Sequence, residues 1–126
     1  MSIQTSLDAG TGVRCHKVVG DLSFAELRSE LGLLYQQPGF EVDTHVLWDL
    51  REGNLAGFSA EEIRQLADFV SGNWGKSGRS RAALVVAQEV DFGLSRMYSA
   101  LLDTRTKSQV RVFRDPELAL DWLMAR

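Results

Sequence analysis

Thr44-His45-Val46-Leu47-Trp48-Asp49-Leu50 is an apolar run that turns charged at Asp49 and Arg51, and Gly57-Phe58-Ser59-Ala60-Glu61-Glu62 follows it after a short loop. Val46 to Leu50 is apolar at both alternating sets of positions, the pattern of a strand covered on two sides. Ser59 with Glu62 three residues later predicts a capping box, in which each side chain satisfies the other residue's orphan backbone N–H. Phe58 and Ile63 flank that cap at the spacing of a hydrophobic staple. Ile63, Leu66, Ala67, Val70 and Trp74 continue one apolar stripe. A strand, a loop and a capped helix in this order make half of a β-α-β unit.

The flanking chain repeats the theme. Upstream, Ile3–Leu7 reads as a short strand, Asp8-Ala9-Gly10-Thr11-Gly12 as a turn, and Val13–Val19 as a half-buried strand, which together predict a hairpin. Ser23 and Glu26 form a second capping box ahead of Phe24, Leu27, Leu31, Leu34 and Tyr35, and Gln36-Gln37-Pro38-Gly39 stops that helix. Downstream, Ser71 to Gly78 reads as a surface connection, and Ala82–Ala87 as a central strand. A third helix is expected from near Asp91, with Phe92, Met97, Tyr98, Leu101 and Leu102 on its inner face. Val110–Arg114 alternates as a strand nearer an edge does. Asp115-Pro116-Glu117 then opens a last helix carrying Leu118, Ala119, Trp122 and Leu123. The order β-β-α-β-α-β-α-β-α predicts an α/β fold. A single domain over residues 1–126 is expected, with a mainly parallel sheet of four to five strands and four helices.

Composition agrees. A chain of 126 residues, 44% hydrophobic and 25% charged, suffices for one globular core. A net charge of −3 gives no electrostatic reason to expect nucleic acid. No apolar run approaches the roughly 20 residues of a bilayer span. Met1-Ser2-Ile3-Gln4-Thr5 lacks the basic and apolar parts of a signal peptide. The lone Cys15 makes no internal disulfide, so the cytoplasm is the expected compartment.

Val46-Leu47-Trp48-Asp49-Leu50-Arg51, Ala83-Leu84-Val85, Phe92-Gly93-Leu94-Ser95-Arg96-Met97-Tyr98 and Val112-Phe113-Arg114-Asp115 with Ala119-Leu120-Asp121-Trp122-Leu123 resemble the SpoIIAA-like group of the STAS superfamily. That group is related to CRAL-TRIO lipid-binding modules. The resemblance spans Val13 to Leu123, and its most specific piece is Phe92 to Tyr98. It implies a fold of successive βα turns. The best understood relatives are anti-sigma-factor antagonists, switched by phosphorylation of a serine in an Asp-Ser-x-Gly motif after the central strand. The matching position here is Ser59, without the preceding Asp or the following Gly.

In open α/β sheets ligands favour the crevice beyond the carboxyl ends of the strands. Asp49, Arg51, Ser59, Gln88 to Asp91, Phe92 and Arg96 are the residues expected at that rim, with Asp49 and Arg96 as its charged pair. They would bind a protein partner or a small ligand; the simpler reading gives Asp49 to loop amides and Arg96 to the surface. Ser59 is fully explained as a cap, while a phosphate there would meet a helix N-terminus and two opposing glutamates. Gly75-Lys76-Ser77 is not a phosphate-binding loop, because Val70 stands where glycine is required and the stretch follows a helix. Cys15, His16 and His45 are too few and scattered for zinc, and Cys15 reads as core filler rather than half of a Cys–His pair. No catalytic set, cofactor or metal is expected. Trp48, Trp74 and Trp122 read as core aromatics, or as the lining of an apolar pocket, which would suit a lipid-type ligand. A homodimer is expected to cover the sheet edges.

Overall fold

The computed structural model describes residues 1–37, 44–74, 80–106 and 109–125. They form β1 (Ser2–Leu7), β2 (Arg14–Asp21), α1 (Phe24–Tyr35), β3 (Val46–Asn54), α2 (Ala60–Trp74), β4 (Arg81–Val85), α3 (Glu89–Asp103), β5 (Gln109–Phe113) and α4 (Pro116–Met124). One five-stranded sheet runs β1-β2-β3-β4-β5. β1 pairs antiparallel with β2, and the other neighbours are parallel. The hairpin and the parallel core are both as expected.

Each crossover from β2 to β5 steps one strand in the same direction, so a common hand places α1, α2 and α3 on one face. α4 returns across the other, against β3, β4 and β5. Strand parity divides the core accordingly. Val18, Val46, Leu50, Ala82, Leu84 and Val110 pack with α1–α3, whereas Val13, Leu47, Ala83 and Val85 pack with Ala119 and Leu123 of α4.

Local sequence explains the punctuation. Asp8 accepts the N–H groups of Thr11 and Gly12 with its carbonyl, and Gly12 takes a positive φ of 74° that closes the hairpin turn. Asp115 caps α4 through Glu117 N–H at 2.8 Å, with Pro116 in the first turn. At α1, Ser23 Oγ accepts from Glu26 N–H at 3.4 Å, while the Glu26 carboxylate lies near the Met1 ammonium.

Strand ends shift by one or two residues at β2, β4 and β5, and two boundaries differ further from expectation. β3 runs on to Asn54 instead of stopping at Leu50, because Glu52, Gly53 and Asn54 stay in register with Val19, Gly20 and Asp21 of β2. β4 leaves this ladder earlier, its last pairing with β3 being Asp49↔Val85. At Gly53 a β-carbon would lie 2.8 Å from Leu22 Cδ1, so glycine lets the β2–β3 ribbon close over that leucine. Ser71 to Trp74 is the last turn of α2, not a connection. Ser71 Oγ and Asn73 Nδ2 donate to the carbonyls of Asp68 and Phe69, turning two loop-forming side chains into helix supports. Pro38-Gly39 and Gly75-Lys76-Ser77 lie outside the described residues.

Candidate ligand-binding site

The rim residues do not converge. With β3 extended, Asp49 and Arg51 lie within the strand and share the parity of Leu47, on the α4 face. Arg51 grips Asp49 with Nε and Nη2, both at 2.9 Å. That bidentate bond holds the Asp49 carboxyl below its ordinary range and raises Arg51. Arg96 sits across the sheet on α3, its guanidinium 5.9 Å from the Phe92 ring centre, with Arg114 4.6 Å from the same ring. The expected Asp49–Arg96 pair is therefore replaced by Asp49–Arg51, since the two partners belong to opposite faces.

The other rim positions have local tasks. Gln88 precedes α3 without a side-chain capping bond. Asp91 is 1% exposed and accepts the Leu55 N–H at 3.0 Å, bracing the start of α3 to the loop after β3. Ser59 makes the full capping box, its Oγ accepting Glu62 N–H at 3.1 Å and Glu62 Oε1 accepting Ser59 N–H at 3.0 Å. Ser59→Ala is expected to cost about 1 kcal/mol in urea denaturation, the usual worth of such a cap. A cost near zero would show that the box carries no weight and that the hydroxyl is spare.

A cavity of about 80 Å³ lies instead under α1–α3. Leu22, Leu55, Phe58 and Ile63 line it toward the carboxyl ends of the strands. Its opposite end is polar. Arg14, Val46 and Ala82 are in register at the strand starts, and Tyr35 closes α1, which runs back to that same end. Arg14 and Tyr35 line the cavity there, joined by Tyr98 and Ser95 from one face of α3.

The electrostatics of this end follow from burial. Tyr98 is held well above its ordinary pKa by desolvation, with the neighbouring Tyr35 adding to the rise, so its phenol stays a neutral donor. Burial lowers Arg14, partly opposed by Tyr35. Arg14 Nε donates to His16 Nε2 at 3.1 Å, which leaves Nδ1 as the protonated nitrogen facing Thr5 Oγ1 at 2.8 Å. The His16 ring stacks on Trp48 with centres 4.3 Å apart. Ser95 is 3% exposed, and its Oγ is the one buried polar side-chain atom among the described residues with no hydrogen-bond partner.

The cavity draws on residues other than the rim positions expected from the sequence. Arg14 and His16 share parity with the buried Val18, a signal that polar side chains enter the core. Ser95 carried no signal beyond its place in the Phe92–Tyr98 segment. Among the described residues no three His, Cys, Asp or Glu side chains gather as metal ligands, and no helix is long and apolar enough to cross a membrane.

No family model matches the chain, and none of the curated proteins does. The fold is similar to the crystal structure of an uncharacterized protein from the DUF3478 family of Shewanella loihica PV-4, described as having a SpoIIAA-like fold. The two are 22% identical over 97% of this chain and 92% of that one, with a TM-score of 0.57. The five-stranded, mostly parallel sheet with its four helices is thus a SpoIIAA-like fold, as the segments around Phe92 to Tyr98 led us to expect.

Proposed function

We propose that this chain is a non-enzymatic binding module that holds a small, mainly apolar molecule in the cavity between the sheet and α1–α3. The single observation behind this reading is the cavity itself. Core packing normally leaves few voids larger than one water, and a water takes about 10–15 Å³ on this measure. A volume of about 80 Å³ is roughly half of the 150 Å³ that holds one benzene in an apolar cavity, so it has room for about three nonhydrogen atoms. A molecule of two or three carbons fits. A long acyl chain does not, which narrows the lipid-carrier reading to small ligands.

Three observations favour binding over catalysis. Burial, then Asp8 and Asp49, raise the Cys15 thiol, which disfavours the nucleophilic thiolate. Cys15 packs with the α4-side cluster, and its neighbour His16 lies on the other face, so they form no pair. His45 Nδ1 is taken by the Arg81 N–H at 2.9 Å. The strand-end rim is a weaker candidate because its charged residues belong to separate faces.

Xenon, an apolar atom on that scale, is the direct probe. At ten times its Kd it is expected to raise stability by about 1.4 kcal/mol in thermal denaturation. Ala82→Leu places a larger side chain at the cavity wall and is expected to abolish that gain. If xenon leaves the unfolding curve unmoved up to its solubility, the void is a packing defect and the reading fails.

A further inference from the structure

Resting on the reading above, we propose that the cavity selects a neutral molecule of about three nonhydrogen atoms whose one polar group is a hydrogen-bond acceptor, held by the Ser95 hydroxyl. The smallest aldehydes have this chemistry. Serine and threonine hydroxyls in helices ordinarily bond a carbonyl of the preceding turn. Ser71 at the end of α2 and Thr104 at the end of α3 do so, with the carbonyls of Asp68 and Leu101. Ser99 donates instead to the Val110 carbonyl on β5, at 2.6 Å. Ser95, one turn before Ser99, does neither. It is 3% exposed and lines the cavity, and its Oγ has no partner among the described residues. A buried hydroxyl left unmet is costly, so a native protein keeps one where the site has a use for it.

The surroundings decide what meets that hydroxyl. Asp91, one turn earlier on α3, is already bonded to the Leu55 N–H. Tyr98, one turn later, lines the same space without bonding the Ser95 oxygen, and Arg14 donates to His16. Ser95 therefore offers one unmet proton, and Leu55, Leu84 and Leu94 are among the apolar side chains of the wall. A buried water takes two to four polar partners, of which Ser95 supplies one. A carboxylate or an ammonium would give up its hydration without a counter-charge. An alcohol carries a proton of its own, so a single contact with Ser95 leaves one of the two protons unbonded. A carbonyl oxygen or a nitrile nitrogen only accepts. One bond then satisfies the donor, and the methyl end rests on apolar wall. Acetaldehyde and acetonitrile have three nonhydrogen atoms each, which matches the room of about that number.

The test compares acetonitrile, ethanol and xenon on the full chain at pH 7, by amide chemical shifts. Acetonitrile stands in for the aldehyde because it does not react with lysine amines. A ligand this small binds with a Kd of about 1 mM at best, so the titration runs to on the order of 100 mM. Acetonitrile is expected to saturate with its largest shifts around Ser95 and to bind about fivefold more tightly than ethanol. Ser95→Ala is expected to weaken acetonitrile about fivefold and to leave xenon unchanged or tighter. The same variant loses the stranded hydroxyl, so the Tm of the ligand-free protein is expected to rise by on the order of 4 °C. A lower Tm would mean that the hydroxyl has a partner within the protein, and would overturn the proposal. Four other results would overturn the acceptor and leave the cavity reading standing: xenon binding alone, no preference over ethanol, equal acetonitrile affinity in Ser95→Ala, or a resident water at Ser95 that acetonitrile does not displace. Failure of both xenon and acetonitrile would overturn both.

Discussion

Asp91→Ala is expected to remove about 3 kcal/mol of stability. The carboxylate is 1% exposed and accepts the N–H of Leu55, a residue itself 6% exposed, at 3.0 Å. Truncation leaves a buried backbone donor without an acceptor, which costs on the order of 1–3 kcal/mol. It also removes an acid from the first turn of α3, worth roughly 0.3–1 kcal/mol against the helix dipole. Asp91→Asn keeps an acceptor oxygen at the same place and is expected to lose less than half as much. Guanidinium denaturation of the two variants reads the difference. The result matters for function, because Asp91 was one of the rim acids expected to meet a ligand. Should Asp91→Ala lose under about 1 kcal/mol, the carboxylate would be no brace, and its burial would need another purpose at that rim.

What was legible in the sequence is what local chemistry decides. The Ser59–Glu62 box, the Asp115-Pro116 start and the apolar alternation of β3 and β4 each lie within a few residues, and each appears in the structure. What was not legible depends on distant partners. Arg51-Glu52-Gly53-Asn54 looks like loop, and only the pairing with Val19, Gly20 and Asp21 makes it strand. That extension puts Asp49 and Arg51 inside a strand on the α4 face, with Asp49 level with the last residues of β4 and β5, instead of at the start of a loop. The cavity lies deeper still. It is the space that side chains from three helices and the sheet jointly fail to fill, and no residue pattern encodes a shortfall in volume. Ser95 is a polar break in an apolar helix face, informative only once its hydroxyl is seen to lack an acceptor.

His16 supplies the second large effect, and it is one of pH. Its pKa is lowered from 6.5 to about 4, first by burial and then by Arg14. The bonding explains why. Nε2 already accepts from Arg14 Nε at 3.1 Å, so the titrating proton would have to displace that donor and face a guanidinium. Above pH 6.5 the ring is neutral in both the folded and the unfolded chain, and folding is insensitive to pH through this group. As pH falls from 6.5 toward about 4 the unfolded chain takes up a proton that the folded chain refuses, so stability is lost across that interval. The gap between the two values corresponds to about 3 kcal/mol in full, of which about 2 is gone by pH 5. His45 is lowered by burial and Arg81 and pulls in the same direction. Asp49 acts separately, because its stabilisation is present above its ordinary value of 3.8 and fades only at lower pH. Urea denaturation at pH 7 and pH 5 is therefore expected to show the loss in the wild type and a smaller loss in His16→Gln. An imidazole C–H resonance of His16 titrating near 4 would report the same event directly. A titration at 6 or above, or an unchanged pH slope in the variant, would mean that water reaches the ring and that the Arg14–His16 bond does not hold it neutral.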